Sequence, residues 1–228
     1  MKSKHDHSLF IKEENGKQVI LLVYVDDLLI TGNDTAMIQE AKVTLHKAFK
    51  IKDLGNLIYF LGNEVCRSAK GILLCQRKYA LELIAELGLS GAKPAITPME
   101  QNKRLTTVEY DEHCHLDHDP TLADVRGYQR LIGKLLYLTM TRPDIVYSVQ
   151  TPSQFMQAPK QSHLEAAYRV VRYVKNEHGL GILMSAIGDM TLSAYRDADW
   201  ASCPNSRKSV IGYLVKFDGS LISWKSKK

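Results

Sequence analysis

An α+β fold is the architecture this sequence predicts, and three observations carry the prediction. Short β-prone apolar runs bounded by turn residues crowd the start of the chain. Apolar residues at helical spacing then dominate a long middle stretch. Alternating apolar and polar residues return near the end, so strands and helices are segregated rather than interleaved as βαβ units.

The elements follow in order. Apolar runs at 19–24 and 28–31 flank Val25-Asp26-Asp27 as the arms of a hairpin, with the acids at its turn. Asn33 or Asp34 can cap the next segment, where Met37, Ile38, Ala41, Leu45, Ala48 and Phe49 recur at helical spacing; this helix should pack on the hairpin's sheet. A second hairpin is predicted over 57–66 and 71–76, turning at 68–71, and a helix with Ala80, Leu83, Ile84 and Leu87 follows, stopped by Gly88. The stretch from Ser90 to about Asp124 has Pro94, Pro98, Pro120 and little periodicity, and is expected to be an extended crossing segment. Beyond it, Tyr128, Leu131, Ile132, Leu135, Leu136 and Leu138 predict one helix, Pro143 opens another through Phe155, and 163–175 makes a third. Strands are expected around 192–195, 210–217 and 221–224, and without a covering helix one apolar face of their sheet would be wet.

Composition narrows the classes of function. At 228 residues and 45% hydrophobic, the chain has material for a buried core and is not a disordered tail. Its apolar runs are too short to span a bilayer, and Met1-Lys2-Ser3-Lys4 has no apolar signal core behind it, so no membrane role and an intracellular setting are expected. Cys66, Cys75, Cys114 and Cys203 form no Cys-x-x-Cys pair, so free thiols are expected. Lys and Arg exceed Asp and Glu by 30 to 25, which is compatible with a polyanionic partner without requiring one.

Adjacent carboxylates at the tip of an apolar hairpin are costly if dry and unpaired, and a divalent metal resolves that cost. Mg²⁺ accepts two or three carboxylates when it also holds substrate phosphates. An ordinary surface turn is the plain alternative, because Asp is a good turn former. His113, Cys114, His115, His118 and Asp119 crowd one loop, but their spacing is not that of a zinc finger.

The context of the acidic pair extends well past four residues. Asp6-His7-Ser8-Leu9-Phe10, the block from Leu22 through Tyr24-Val25-Asp26-Asp27 to Gly32, Phe49-Lys50-Ile51-Lys52-Asp53-Leu54-Gly55, Tyr59-Phe60-Leu61-Gly62 and Gln76-Arg77-Lys78-Tyr79-Ala80 resemble consecutive blocks of copia-type retrotransposon reverse transcriptases, such as plant genomes hold. Tyr128-Gln129-Arg130-Leu131-Ile132-Gly133, Thr141-Arg142-Pro143-Asp144-Ile145, Ser153-Gln154-Phe155-Met156 and the block 169–175 resemble the same family's later segments. The resemblance implies a late polymerase palm over 1–89, a linker with a helical thumb and connection region over 90–188, and the first strands of a ribonuclease H domain over 189–228. It implies that Asp26 and Asp27 are metal-binding catalytic carboxylates, that Tyr24 lies where primer end and nucleotide meet, and that Lys52 and Gly55 open the hairpin that holds the primer. Tyr195-Arg196-Asp197-Ala198-Asp199-Trp200 resembles the opening strand of the ribonuclease H domain, with Asp197 as its first metal carboxylate; Arg196 stands where the family usually has a small residue.

The implied cofactor is Mg²⁺ or Mn²⁺, and the implied partners are an RNA or DNA template-primer and the remaining polyprotein, within a cytoplasmic virus-like particle. By the same resemblance, a third palm aspartate and further ribonuclease H acids lie outside this sequence, so a fragment inactive by itself is expected. A non-enzymatic nucleic-acid-binding remnant is the alternative, in which basic faces act and the acids are idle. Arg169, Arg172 and Lys175 fall on one helical face and could track phosphates, although a solvated helix face has the same pattern.

Overall fold

The computed structural model describes residues 2–228, which fall into two compact units that divide between Leu57 and Ile58 and are taken one at a time. In the first, β1 (Leu9–Glu14), β2 (Lys17–Tyr24) and β3 (Asp27–Gly32) form an antiparallel sheet in that order. Two-residue turns join the strands. Asn15 and Gly16 both have positive φ, 53° and 76°, which is the backbone a tight hairpin needs and the reason Asn-Gly favours it. Helix α1 (Thr35–Ala48) packs on β2 and β3. Both predicted caps are used, in different ways. Asp34 Oδ1 accepts from the Met37 N–H at 2.9 Å as the N-cap, and Asn33 Oδ1 accepts from the Gln18 N–H at 2.6 Å, tying the end of β3 to β2.

In the second unit, β4 (Tyr59–Phe60), β5 (Asn63–Ser68), β6 (Gly71–Cys75) and β7 (Gly181–Ser185) form a sheet in that order, all antiparallel. The core lies between helices α2 (Arg77–Glu86), α4 (Val125–Leu138), α5 (Val146–Gln150) and α6 (Gln161–Asn176), which bury Leu83, Ile132, Leu135, Val149, Val170 and Val174 among others. Strands β8 (Leu192–Asp199), β9 (Val210–Phe217) and β10 (Ser220–Lys227) form a third antiparallel sheet, with β9 central. The α+β class is therefore observed.

Three expectations are corrected. The stretch 90–124 is not wholly extended: α3 (Val108–Cys114) forms in it, capped by the Thr107 hydroxyl, which accepts from the Tyr110 N–H at 3.2 Å. The run 57–66 is not one strand, because the chain turns at Leu61-Gly62 and pairs β4 with β5. The helix opened by Pro143 is broken: 3-10 turns at Pro143–Ile145 and Pro152–Phe155 flank the short α5, since Pro152 has no N–H to continue it. Residues 181–185, for which no strand was expected, join the sheet of the second hairpin through β6. Helix α5 packs on β10, so the last sheet is covered in part.

Two buried cations hold the second unit together, and neither was expected. Arg142, in the Thr-Arg-Pro-Asp block, donates through Nε and Nη2 to Asp144 at 2.9 and 2.6 Å and through Nη1 to the Glu177 carbonyl at 2.9 Å. Lys160 is 1% exposed and meets Asp111 of α3, Asp119 at 3.3 Å and the Thr106 hydroxyl at 3.2 Å. Beside it, His163 Nδ1 accepts from the Lys160 N–H while Nε2 donates to the Thr106 carbonyl, each at 3.0 Å, so the ring is the neutral Nε2–H tautomer.

Burial drives the His163 imidazole down to about 4, against the opposing bond to Thr106. The unfolded chain, with an ordinary imidazole, therefore binds more protons between pH 6.5 and 4, and stability is present above that window and lost as pH falls through it. Denaturant melts should show the second unit losing about 2 kcal/mol between pH 7.5 and 5. His163→Gln should flatten that slope, and an unchanged slope would remove His163 from the account. No helix among the described residues is long and apolar enough to cross a membrane.

Candidate functional site

The acidic hairpin forms as the sequence predicts. Tyr24 pairs with Asp27, leaving Val25 and Asp26 as a two-residue turn. Tyr24, Val25, Asp26 and Asp27 are all exposed, which gives the carboxylates access to solvent and to a ligand. Lys12 reaches Glu40 of α1 and, by register, shares its sheet face with Val19, Leu21 and Val23; Tyr24 and Asp27 therefore stand on the opposite face. The helix buttresses one side of the sheet and leaves the tyrosine and carboxylate clear of it.

Val25 has φ of 51° and is 82% exposed. A β-branched residue in the left-handed region is strained, and with its side chain in solvent no packing offsets the strain. Val25→Gly should therefore raise the stability of the first unit by about 1 kcal/mol. Thermal melts of the two chains check this; a loss of stability would show that the valine side chain has a packing role.

After α1, the loop at 49–57 carries Lys52 and Gly55, both exposed. Asp53 orders it: one carboxylate oxygen accepts from the Gly55 N–H at 2.9 Å and the other meets Lys42 at 2.9 Å, and these contacts hold the Asp53 carboxyl below the ordinary carboxylate range. Gly55 has φ of 80°, a conformation that only glycine adopts without strain. The loop is thus shaped locally, with the Lys52 ammonium facing solvent.

Asp197 lies in the other unit, on β8, with its Oδ1 accepting from the Ala198 N–H at 2.9 Å. It lines an open cavity of about 380 Å³ together with Asp199, Tyr147, Tyr195 and Trp224. Trp224 fixes one wall, since its indole N–H donates to the Thr139 carbonyl at 2.9 Å. Arg169, Arg172 and Lys175 do share a face of α6, and that face is occupied. Arg169 binds Thr97 and Glu100, Arg172 donates to the Lys93 carbonyl, and Lys175 donates to the carbonyls of Leu89, Ser90 and Ala92. A phosphate would have to displace those carbonyls. The helical spacing was legible, but the strap that consumes the charges came from a segment without periodicity. Among the described residues no group of three or more His, Cys, Asp or Glu side chains is gathered as for a metal ion, the loop at 113–119 included.

An α+β chain that presents adjacent carboxylates and a tyrosine on an exposed hairpin is the setting in which the comparisons with known proteins fall. Residues 1–101 match the family described as reverse transcriptase (RNA-dependent DNA polymerase). The chain is 40% identical over 226 residues to the retrovirus-related Pol polyprotein from transposon RE1 of Arabidopsis thaliana, covering 99% of this chain and 15% of that protein. It is 34% identical over 237 residues to the corresponding polyprotein from transposon TNT 1-94 of Nicotiana tabacum, covering 100% of this chain and 17% of that one. An uncharacterized mitochondrial protein of Arabidopsis thaliana is 33% identical over 210 residues, which are 91% of this chain and 82% of the relative. No solved structure matches. The chain belongs to the reverse-transcriptase family of plant retrotransposon Pol polyproteins, and it spans 15% of the length of the Arabidopsis transposon relative.

Proposed function

We propose that this chain is the late-palm, thumb and connection portion of a copia-type reverse transcriptase, leading into the first strands of its ribonuclease H domain. The observation that carries the reading is the exposed hairpin with Asp26 at its turn and Asp27 opposite Tyr24. In this reading Asp26 and Asp27 are hard oxygen donors that fit Mg²⁺ or Mn²⁺ as part of a set shared with substrate phosphates. When bound, such an ion activates the attacking hydroxyl and neutralises charge on the transferred phosphoryl group. Tyr24, on the same face as Asp27, positions the primer end against the incoming nucleotide. The Lys52 ammonium on its ordered loop meets a backbone phosphate of the template-primer.

Two adjacent carboxylates hold a hard cation weakly without further donors, so the 228-residue chain by itself is proposed to be a fragment of the active unit, completed by other parts of the polyprotein in a cytoplasmic particle. Asp197 has the same position in the second reaction. It is exposed beside a cavity, and it is proposed as one carboxylate of the ribonuclease H set. The alternative of a non-enzymatic nucleic-acid binder draws less support from α6, whose cations already hold the strap at 89–100.

Titration with Mn²⁺ followed by amide NMR tests the metal assignment. Paramagnetic broadening should centre on residues 24–28 and disappear in Asp26→Asn with Asp27→Asn. Broadening that is centred on other acids and survives this double substitution would refute it.

A further inference from the structure

The turn that closes β4 on β5 is held from outside the hairpin. Its arms pair over two residues only, Tyr59 with Glu64 and Phe60 with Asn63, and so short a ladder does not fix a hairpin in water. Leu61 and Gly62 both have positive φ, 48° and 77°, and a leucine in that region is strained unless its surroundings enforce it. The enforcement comes from α4. Tyr137 donates its hydroxyl to the Leu61 carbonyl at 2.6 Å, and Asn63 Nδ2 donates to the same oxygen at 3.2 Å. The hydroxyl lies so close to Gly62 that a β-carbon there would collide with it. Tyr137 is itself braced: the Tyr79 ring of α2 meets it edge-to-face with 4.9 Å between centroids, and the Tyr79 hydroxyl donates to the Lys134 carbonyl at 3.3 Å. Two residues on, the Thr139 carbonyl accepts the Trp224 indole N–H, which ties down the end of the helix.

We propose that Tyr137 is a positioning residue for primer binding: its hydroxyl locks the Leu61-Gly62 turn and so orients β4 toward the primer. The inference rests on the polymerase reading above, with the hairpin behind Lys52 and Gly55 as the part that holds the primer. Tyr59 of β4 is 51% exposed, so the hairpin keeps a side chain free for a ligand while its turn is clamped. A loop already held in its bound shape has less ordering to do when the primer arrives, and this strengthens binding without a new contact. The Tyr137 hydroxyl is spent on the Leu61 carbonyl, so its effect reaches the primer through the turn.

Two measurements test the proposal. In the 228-residue chain, Tyr137→Phe should speed amide hydrogen exchange across residues 60–64 about fivefold, the size of one hydrogen bond, and leave exchange in α6 unchanged. Unchanged exchange at 60–64 would overturn the clamp. In a longer Pol chain that carries this segment, the same substitution should raise KM for primed template about fivefold, with kcat and the KM for nucleotide within about twofold of wild type. Gly62→Ala should also raise KM for primed template, because its methyl displaces the hydroxyl, and adding Tyr137→Phe should make it no worse. Tyr59→Ala probes the underlying reading. Raised KM in Tyr59→Ala with wild-type KM in Tyr137→Phe would overturn the role of Tyr137 alone, even if its melting temperature falls. Wild-type KM in all of these variants would overturn the primer assignment of the hairpin as well.

Discussion

Asp26→Asn, introduced into a longer Pol chain that carries this segment, is expected to reduce primer extension by about a thousandfold or more. The substitution keeps the size and turn-forming character of the side chain and removes its charge, so the β2–β3 hairpin should persist. What it removes is one of two anionic oxygen donors at the exposed turn. A divalent cation supplies several kcal/mol of stabilisation to developing charge in phosphoryl transfer, and losing about 4 kcal/mol of it is about a thousandfold in rate. Steady-state synthesis on a primed homopolymer measures the effect. The fall should appear in kcat rather than KM, because Lys52, proposed to meet a template-primer phosphate, is untouched. A loss of less than tenfold would demote Asp26 to a surface-turn residue.

Lys160→Ala is expected to destabilise the second unit by about 3 kcal/mol. The ammonium is buried between Asp111 and Asp119, and removing it leaves two partly buried carboxylates facing each other without a counter-charge. The damage should spread from the start of α6 to α3 and the segment at 105–122, because the Lys160 side chain and the His163 ring both hold Thr106. Chemical denaturation gives the magnitude, and hydrogen exchange should locate the first opening in α3. Lys160→Met together with Asp111→Asn and Asp119→Asn should cost less than Lys160→Ala, since an uncharged set carries no unpaired ion. Equal cost would mean that the stem of Lys160, not its charge, does the holding.

Local signals made much of this fold legible. The acidic hairpin, α1 with its cap, α4 and α6 all followed from apolar periodicity and turn chemistry, which act over a few residues. Strand β1 was legible only through the family resemblance of the block ending at Phe10, although Asn15-Gly16 is itself a strong hairpin signal and would have found it. Helix α3 was not legible: in Val108–Cys114 only Val108 and Tyr110 are large apolar residues apart from the terminal cysteine, and the segment is fixed by Asp111 reaching Lys160, 49 positions away. A buried lysine carries no local mark. The candidate site divides in the same manner. Asp26, Asp27 and Tyr24 sit at a turn that a window of about ten residues specifies, so sequence placed them together. The fate of Arg169, Arg172 and Lys175 depended on backbone carbonyls 72 to 86 positions away, which periodicity does not reveal.

Primer extension by the purified 228-residue chain, with Mg²⁺ and then Mn²⁺, tests the central proposal most directly: the hairpin is a genuine polymerase element that needs further parts of the polyprotein. The expected result is no synthesis above that of Asp26→Asn, with synthesis restored when a relative's upstream palm segment is supplied on the same chain. Robust Asp26-dependent synthesis by the chain alone would contradict it.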